Sequence, residues 1–275
     1  MGVREMTGKA LQERVIVIKG AGEMATGVAC RLFGANLRRI LMLETACPQA
    51  VRRHVAFCEA VHEGSAVVEG IAATRVATED ETRLAWAAGM VAVRVDPQAE
   101  SVSCLDVDVL IDATLAKHNI GISVTDAPLV IALGPGFEAG RDCHIVIETN
   151  RGHDLGRLLR SGTAAANTGI PGDIGGYTSE RVLRAPVAGL FVTQRRIGDV
   201  VRSGDTIGQV GDAPVRASID GILRGLIRPG STVKQGLKIG DIDPRQQPGY
   251  CDTISEKARA IGGAVLESVL SVYNV

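Results

Sequence analysis

Long hydrophobic runs are missing from this sequence of 275 residues, and no stretch of about 18 apolar residues could form a membrane-spanning helix. The first residues, MGVREMTGKALQER, are polar and lack the apolar segment of a secretion signal. We therefore expect a cytoplasmic protein without a membrane partner.

An excess of charge of one sign is also lacking, since 30 Lys and Arg residues stand against 31 Asp and Glu residues. Nucleic acids attract broadly basic proteins, so we expect no nucleic-acid partner. The six cysteines include no CxxC pair, which is typical of reduced thiols rather than of a disulfide framework or an iron–sulfur cluster.

Several catalytic motifs do not occur. The sequence contains no GxSxG elbow, no Walker A loop and no Cys beside a His in a family-like context. Hydrolase and P-loop interpretations therefore have no support. Hydrophobic residues make up 45% of the chain, and this length and composition predict well-filled cores in two domains.

A duplicated unit is the clearest pattern that is present. Residues 184–210 align with residues 216–242 at a constant offset of 32, and nine of the 27 paired residues are identical. Glycines recur where tight turns are needed, as in Gly189 with Gly221 and Gly198 with Gly230. Two equivalent β-rich halves predict a small pseudo-symmetric β-module like the barrel-sandwich fold of biotinyl and lipoyl carriers.

The junction between the two halves argues against a carrier. Biotinyl and lipoyl carriers attach their cofactor to a lysine there, whereas residues 211–215 read GDAPV. We therefore expect a module that packs against another domain or a partner protein.

The amino-terminal part alternates strand and helix patterns. The run 15–18 ends at a glycine turn, a helical pattern covers 24–33, and a second run, 40–43, ends at Glu44. Further patterns predict helices at 52–61 and 82–88, and strands at 91–95, 107–111, 129–133 and 145–147. This alternation predicts a Rossmann-like parallel sheet.

The turn Gly20-x-Gly22-x-x-Ala25 has the spacing of a dinucleotide-binding fingerprint. The first glycine makes the turn, the second lets the backbone approach a pyrophosphate, and the small third residue permits tight helix–strand packing. Glu44 lies where an acid accepts a hydrogen bond from a ribose hydroxyl. The context predicts the fold more firmly than it predicts a dinucleotide ligand.

A second polar cluster follows the last strand run, in the glycine-rich segment 150–176. His153 could act as a general base oriented by a carboxylate, or it could be a solvated loop histidine bonded to Asp154. Asp173 lies further along the same segment, which we expect to be a long functional loop.

Two further groups have competing interpretations. Asp241, Asp243 and Arg245 could contact a metal or phosphate, or they could form an internal ion pair that anchors the module. His54, Cys58 and His62 fall at helical spacing, yet three ligands along one helix rarely reach one ion, so we assign no metal site. Thr253 and Glu256 form a capping-box pattern before a final helix, in which Gly262 and Gly263 suggest a close backbone contact.

With these residues in view, the chain resembles the YqeB family, accessory proteins associated with selenium-dependent molybdenum hydroxylases. The resemblance extends from about Val15 to Leu270. The strings that carry it are GAGEMATGVA (20–29), VRR (51–53), EAVHEG (59–64), GPGFEAGRDCHIVIETNRGHDLGR (134–157), NTGIPG (167–172), ERVLRAPVAG (180–189), KIGDIDPR (238–245) and ISEKARAIGG (254–263).

The resemblance implies a role in maturing the molybdenum centre of such hydroxylases, with the hydroxylase or its maturation machinery as partner. The ligand would be a nucleotide-containing cofactor, either molybdopterin dinucleotide or NAD, held at the amino end of a helix. The expected cofactor-binding residues are Gly20, Gly22, Glu23, Ala25, Glu44, Gly134, Gly136, Asn150, Arg151, Asp243 and Arg245.

We thus predict a Rossmann-like domain over 1–180, a β-module over 181–247 and a C-terminal helix over 248–275 that packs on the first domain. One alternative function is an NAD-dependent oxidoreductase that uses His153, and another is a non-catalytic docking scaffold. A third is a selenium or sulfur transferase, for which Cys251 is the best-placed thiol. The sequence leaves the oligomeric state and the reaction, if any, open.

Overall fold

The computed structural model describes residues 8–274, so residues 1–7 and 275 of the predicted domains lie outside the described part. In the first part of the chain, the strands in chain order are β1 (Ile16–Lys19), β2 (Ile40–Glu44), β3 (Ser65–Val68), β4 (Ile71–Val76), β5 (Val91–Val95), β6 (Val109–Asp112), β7 (Leu129–Leu133), β8 (Glu138–Ala139), β9 (Ile145–Ile147), β10 (Leu158–Leu159) and β11 (Gly162–Thr163).

Nine of these strands form one sheet in the order β10-β9-β7-β6-β1-β2-β5-β4-β3. The pairs from β9 across to β4 are parallel, and β10 and β3 pair antiparallel at the two edges. The chain moves from β1 outward to β2 and later returns on the other side of β1 to β6. A ligand cleft is expected at this reversal of strand order, outside the carboxyl ends of the strands.

Four α-helices accompany the sheets: α1 (Glu23–Gly34), α2 (Glu59–Glu63), α3 (Glu79–Ala87) and α4 (Glu256–Tyr273). One face of the large sheet packs on α1 and α4, where Ile18, Met42 and Ile111 join the core with Val28 and Val265. The other face is covered by α3 and by the segments around β8. The mixed α/β sheet and the C-terminal helix are thus confirmed.

The duplicated region forms two four-stranded antiparallel sheets, whose strands are β12 (Val182–Arg184), β13 (Gly189–Val192), β14 (Val200–Val201), β15 (Thr206–Val210), β16 (Ala213–Arg216), β17 (Gly221–Leu226), β18 (Thr232–Val233) and β19 (Lys238–Asp243). The starts of β13, β14 and β15 lie 32 residues before those of β17, β18 and β19. The sequence repeat is therefore a structural repeat.

The two copies of the repeat interlock. One sheet has the order β12-β19-β17-β14 and the other has the order β16-β15-β13-β18, so each sheet takes two strands from each copy. A single core joins both copies, with Phe191, Ile207, Leu223 and Ile239 all buried. Neither copy can therefore bury its apolar side chains without the other.

The predicted helix at 52–61 is wrong. The chain forms a short 3₁₀ turn at Arg53–Val55 and then the short helix α2. Between them, two backbone N–H groups donate to residues distant in sequence. Phe57 N–H donates to Thr26 Oγ1 at 2.9 Å, and Cys58 N–H donates to Ala21 O at 2.8 Å. These contacts outweigh the local helical pattern.

Two helix starts also differ from the prediction. Helix α3 begins at Glu79 rather than at residue 82, because Thr78 caps it by accepting from Glu81 N–H at 3.2 Å. For α4, the N-cap is Ser255, which accepts from Ala258 N–H, whereas the hydroxyl of Thr253 donates to Gly249 O. The predicted capping box at Thr253 was therefore two residues early. Segment 150–176 contains β10 and β11 rather than loop alone.

Helices α1 and α4 touch at two glycines, which confirms the close contact expected from the glycine pair in the last helix. A Cβ atom on Gly27 would lie 2.7 Å from the Cβ of Ala258, and one on Gly262 would lie 2.8 Å from Gly27 O. Gly263 has no atom within 4 Å of the corresponding position. Of the two glycines in α4, only Gly262 is therefore required for the close approach.

We predict that Gly262→Ala destabilises the protein by about 1–3 kcal/mol, because the added methyl group forces the two helices apart. The neighbouring change Gly263→Ala is the matched control, and it should stabilise the protein by about 0.5–1 kcal/mol through helix propensity. Urea denaturation monitored by circular dichroism checks both values. Equal effects of the two substitutions would contradict the helix contact.

Candidate functional site

A cleft of about 730 Å³ opens at the carboxyl edge of the large sheet, between this sheet and the β-module. The loops after β1, β2 and β6 bring Gly20, Glu44 and Ala113 to its floor. The opposite wall comes from the module and from the start of α4, with Arg224 and Lys257. The cleft thus lies where the strand order reverses, and both parts of the chain form it.

The two fingerprint glycines line the cleft, and each has a separate role. Gly20 has φ of +94°, and a Cβ there would lie 3.2 Å from Ala113 O, so both the conformation and the space require glycine. Gly22 is the N-cap of α1, and no atom lies within 4 Å of the position of its missing Cβ. The space beside Gly22 is therefore open to a ligand.

The first turn of α1 follows directly. Thr26 N–H is the first to bond within the helix, to Gly22 O at 2.8 Å, which leaves the amides of residues 23–25 without intrahelical acceptors. Such amides favour an anion. Ala25 is buried in the core under the helix, as expected for the small third residue of the fingerprint, and does not line the cleft.

Two carboxylates fix the floor of the cleft, one at the glycine turn and one at the loop after β6. Glu44 accepts from Ala21 N–H through Oε2 at 2.9 Å and from Thr45 N–H through Oε1 at 2.8 Å. Asp112, fully buried at the end of β6, accepts through Oδ1 from the backbone N–H of Thr114 at 3.0 Å and from its hydroxyl at 2.6 Å. Glu44, predicted to accept a hydrogen bond from a ribose hydroxyl, is bonded to the turn itself in the structure.

Glu23, the first residue of α1, lines the cleft but is paired. Its Oε1 lies 3.0 Å from Nη1 of Arg52, which is buried. The Nη2 of Arg52 donates to Tyr250 O at 2.8 Å and to Thr253 O at 2.9 Å. Arg52 thus links α1 to the segment that connects the module to α4.

The module wall of the cleft centres on Asp241, which is completely buried. Arg224 Nε donates to Oδ2 of Asp241 at 3.0 Å, Lys238 Nζ donates to Oδ1 at 3.2 Å, and Arg181 Nη1 also donates to Oδ1. Burial alone would raise the pKa of Asp241, but Lys238, Arg224 and Arg181 lower it below its ordinary value. Sequence reasoning missed these cations because no local motif joins them.

Cations outnumber carboxylates in the cleft. The lining contains six cationic side chains and three carboxylates: Lys117, Arg151, Arg181, Arg224, Lys238 and Lys257 against Glu23, Glu44 and Asp241. Burial lowers the pKa of both Lys238 and Lys257, and nearby Arg151 lowers that of Lys257 further. Electrostatics therefore favour an anionic ligand.

The predicted cluster after β9 is only partly brought to the cleft. Arg151 lines it and pairs with Glu256, whereas Asn150 is exposed in a smaller hollow beside it. His153 is exposed and does not line the cleft. Asp173 is also exposed, and its Oδ1 accepts from Gly176 N–H at 3.2 Å. The structure does not bring His153 and Asp173 together with the glycine turn.

Four other predicted cofactor contacts have structural explanations. A Cβ on Gly134 would lie 2.5 Å from Thr149 Oγ1, and one on Gly136 would lie 2.4 Å from His118 N, so both glycines permit tight loop packing. Asp243 accepts from Arg245 Nε at 2.9 Å and from Nη2 at 2.7 Å. The internal ion pair therefore exists, and neither of its members lines the cleft.

The histidine and cysteine candidates are dispersed. His54 Nδ1 lies 2.7 Å from Asp252 Oδ1, His62 Nε2 lies 3.2 Å from Pro48 O, and Cys58 is buried at the cleft edge. Within residues 8–274, no group of three His, Cys, Asp or Glu side chains is placed to hold a metal. The shared helical face assumed for these three residues does not exist, because the chain there is a 3₁₀ turn followed by α2.

Cys251 lies in the module core with 3% of its surface exposed. Its Sγ donates to Leu223 O at 3.9 Å, and burial raises its pKa above the ordinary value for a thiol. A transferase thiol needs the opposite, an accessible group with a lowered pKa. This environment gives no support to Cys251 as a nucleophile.

Comparison with curated proteins finds a relative with a similar sequence. No family model matches the chain. The chain is 46% identical over 261 residues to the uncharacterized protein YqeB of Escherichia coli (strain K12), covering 95% of this chain and 48% of the relative. The chain thus spans about half the length of this curated relative.

Likenesses to solved structures are slight. A succinylglutamate desuccinylase/aspartoacylase from Rhodobacter sphaeroides matches 23% of this chain and 22% of its own at 26% identity, with a TM-score of 0.22. An aspartoacylase family protein from Mesorhizobium loti matches 83% of this chain and 84% of its own at 13% identity, with a TM-score of 0.27. Scores this low carry no argument about function.

We predict that Cys251 resists alkylation in the folded protein, while the exposed thiols of Cys47 and Cys104 react. Mass spectrometry after a timed iodoacetamide pulse measures each site, and the same pulse in denaturant gives the control for intrinsic reactivity. Labelling of Cys251 as fast as Cys47 in the native protein would contradict the buried environment.

Proposed function

We propose, given that the chain belongs to the YqeB family over its aligned residues, that it is an accessory protein for the maturation of selenium-dependent molybdenum hydroxylases. In this role it binds a nucleotide-containing cofactor in the cleft, with molybdopterin dinucleotide or NAD as the candidates. The hydroxylase connection is supported by the sequence resemblance, and the binding by the cleft.

The single observation that carries the binding proposal is the open space at Gly22 beside the free amides of α1. A pyrophosphate in this space would accept hydrogen bonds from amides that have no intrahelical acceptor, and the helix dipole favours its charge. The residues that would hold the ligand are the backbone at Gly22, Glu23 and Met24. Glu44 would accept a hydrogen bond from a ribose hydroxyl, on a carboxylate oxygen that already accepts one from the backbone of the turn.

The size of the cleft suits this ligand class. Small-molecule sites typically enclose about 300–1,000 Å³, and this cleft of about 730 Å³ falls in that range. Its floor comes from the sheet and its wall from the module, so a long ligand can touch both parts.

Within the same proposal, the sheet part is Rossmann-like over about 1–180, and the duplicated part, 181–247, is barrel-sandwich-like. The reversal of strand order at β1 supports the first assignment, and the interlocked repeat supports the second. Helix α4, in the predicted C-terminal segment, packs on α1. We propose a cytoplasmic location, with the hydroxylase or its maturation machinery as the protein partner.

The NAD-dependent oxidoreductase alternative has weaker support. It needs a proton donor beside the nicotinamide, and its candidate, His153, does not line the cleft. The scaffold alternative predicts that no nucleotide binds and that surface changes on the module abolish maturation. Ligand binding therefore separates the three functions.

We predict that Gly22→Asp raises the Kd for the bound nucleotide by about 100-fold or more, because a carboxylate beside the phosphates costs several kcal/mol. Asp is a favourable N-cap, so the variant should fold at least as stably as the native protein. Thermal-shift titrations with NAD(H), NADP(H), ATP, CTP and molybdopterin cytosine dinucleotide measure the binding.

Gly34→Asp is the matched control, since it adds the same charge at the other end of α1, where no atom lies within 4 Å of the new Cβ. This variant should bind like the native protein. A pterin dinucleotide bound alone supports maturation, and NAD(H) bound alone favours the oxidoreductase. Absence of binding by every nucleotide, or undiminished binding by Gly22→Asp, would contradict the proposal.

A further inference from the structure

Positive charge in the module wall and directly behind it exceeds the negative charge of the carboxylates that pair with it. The ion-pair cluster contains two acids, Asp241 and Asp243, and four bases: Arg181, Arg224, Lys238 and Arg245. Arg181, with 6% of its side chain exposed, also keeps a buried Nε without a partner among the described residues. The cluster therefore carries two more positive than negative charges, which a bound anion would offset.

Lys257, at the start of α4, adds to this excess beside the module wall. Its side chain forms no hydrogen bond or salt bridge with any residue between 8 and 274, although it is half-buried. It is the second residue of α4, where the helix dipole disfavours a cation. Burial lowers its pKa most, Arg151 and Lys238 lower it further, and Glu23 and Glu148 act in the opposite direction. The ammonium group is therefore held without an ion pair at an unfavourable end of the helix, close to other cations.

We propose that the module wall and Lys257 form a second anion subsite in the cleft, distinct from the amino end of α1. Its ligand carries two separated anionic groups: a pyrophosphate on the α1 amides, and a phosphate or carboxylate between Lys257 and Lys238. This inference rests on the proposed nucleotide binding at Gly22 and specifies the class of nucleotide.

The arrangement has a consequence for pH. A bound anion favours the charged form of Lys257, so binding raises a pKa that burial had lowered in the free protein. The contribution of Lys257 to affinity is therefore fully present below its pKa in the free protein, and is lost as pH rises through its pKa in the complex. Binding at alkaline pH should take up a proton.

Two ligand pairs test the subsite by isothermal titration calorimetry. CTP adds one phosphate to CDP, and UDP-glucuronate replaces a hydroxymethyl group of UDP-glucose with a carboxylate. The native protein should prefer the more anionic member of at least one pair by about 10-fold or more, since one charge-assisted hydrogen bond contributes that much. The pair that discriminates identifies the second group as phosphate or carboxylate.

Lys257→Met should abolish this preference while leaving affinity for CDP and UDP-glucose within about 2-fold, because methionine keeps the helix propensity and removes only the charge. Lys234→Met, at an exposed position of the module away from the cleft, is the control and should keep the preference. Proton uptake, measured in buffers of different ionisation enthalpy, should disappear with Lys257→Met alone.

The outcomes separate the two proposals. If the native protein binds CDP and UDP-glucose but shows no preference within either pair, the second subsite is wrong and the nucleotide site stands. A preference that survives in Lys257→Met also overturns the subsite. If no nucleotide binds, the proposed function fails and the subsite fails with it.

Discussion

The buried carboxylate of Asp241 holds together the wall on which the cleft depends. It lies on β19 and receives Arg224 from the neighbouring strand β17, Lys238 from its own strand, and Arg181 from just before β12. Arg181 in turn donates from Nη2 to Gly172 O at 2.9 Å, which fixes a loop that also lines the cleft. Without this carboxylate, three cations would be left in a desolvated wall with little to balance them.

One contact between two helices positions the amino end of α1 relative to Lys257. Gly27 of α1 packs against Ala258, the residue after Lys257, so the same close approach fixes the amino end of α1 relative to Lys257. Arg52 adds a second link, between Glu23 and the backbone that leads into α4. The amino ends of α1 and α4, where the two anion sites are proposed, are therefore held at a defined spacing.

Periodicity and glycine spacing were sufficient to predict the mixed sheet, the structural repeat and the role of Gly20, because each depends on residues near one another in sequence. The failures have a different cause. The helix at 52–61 was lost to bonds from distant residues such as Thr26. The cations of the cleft, such as Arg181, Lys238 and Lys257, come from three separate segments, so no local motif indicates them. Conversely, Gly134, Gly136 and His153 are residue types that often occur in binding sites, but none of the three lines the cleft.

The most direct test of this account is a crystal structure of the protein with a saturating nucleotide that carries a pyrophosphate and a distal anionic group. We expect phosphate oxygens within hydrogen-bond distance of the amides at Gly22, Glu23 and Met24, and the distal anion between Lys238 and Lys257. A ligand bound outside the cleft, or a distal group turned to solvent with Lys257 still unpaired, would contradict the account.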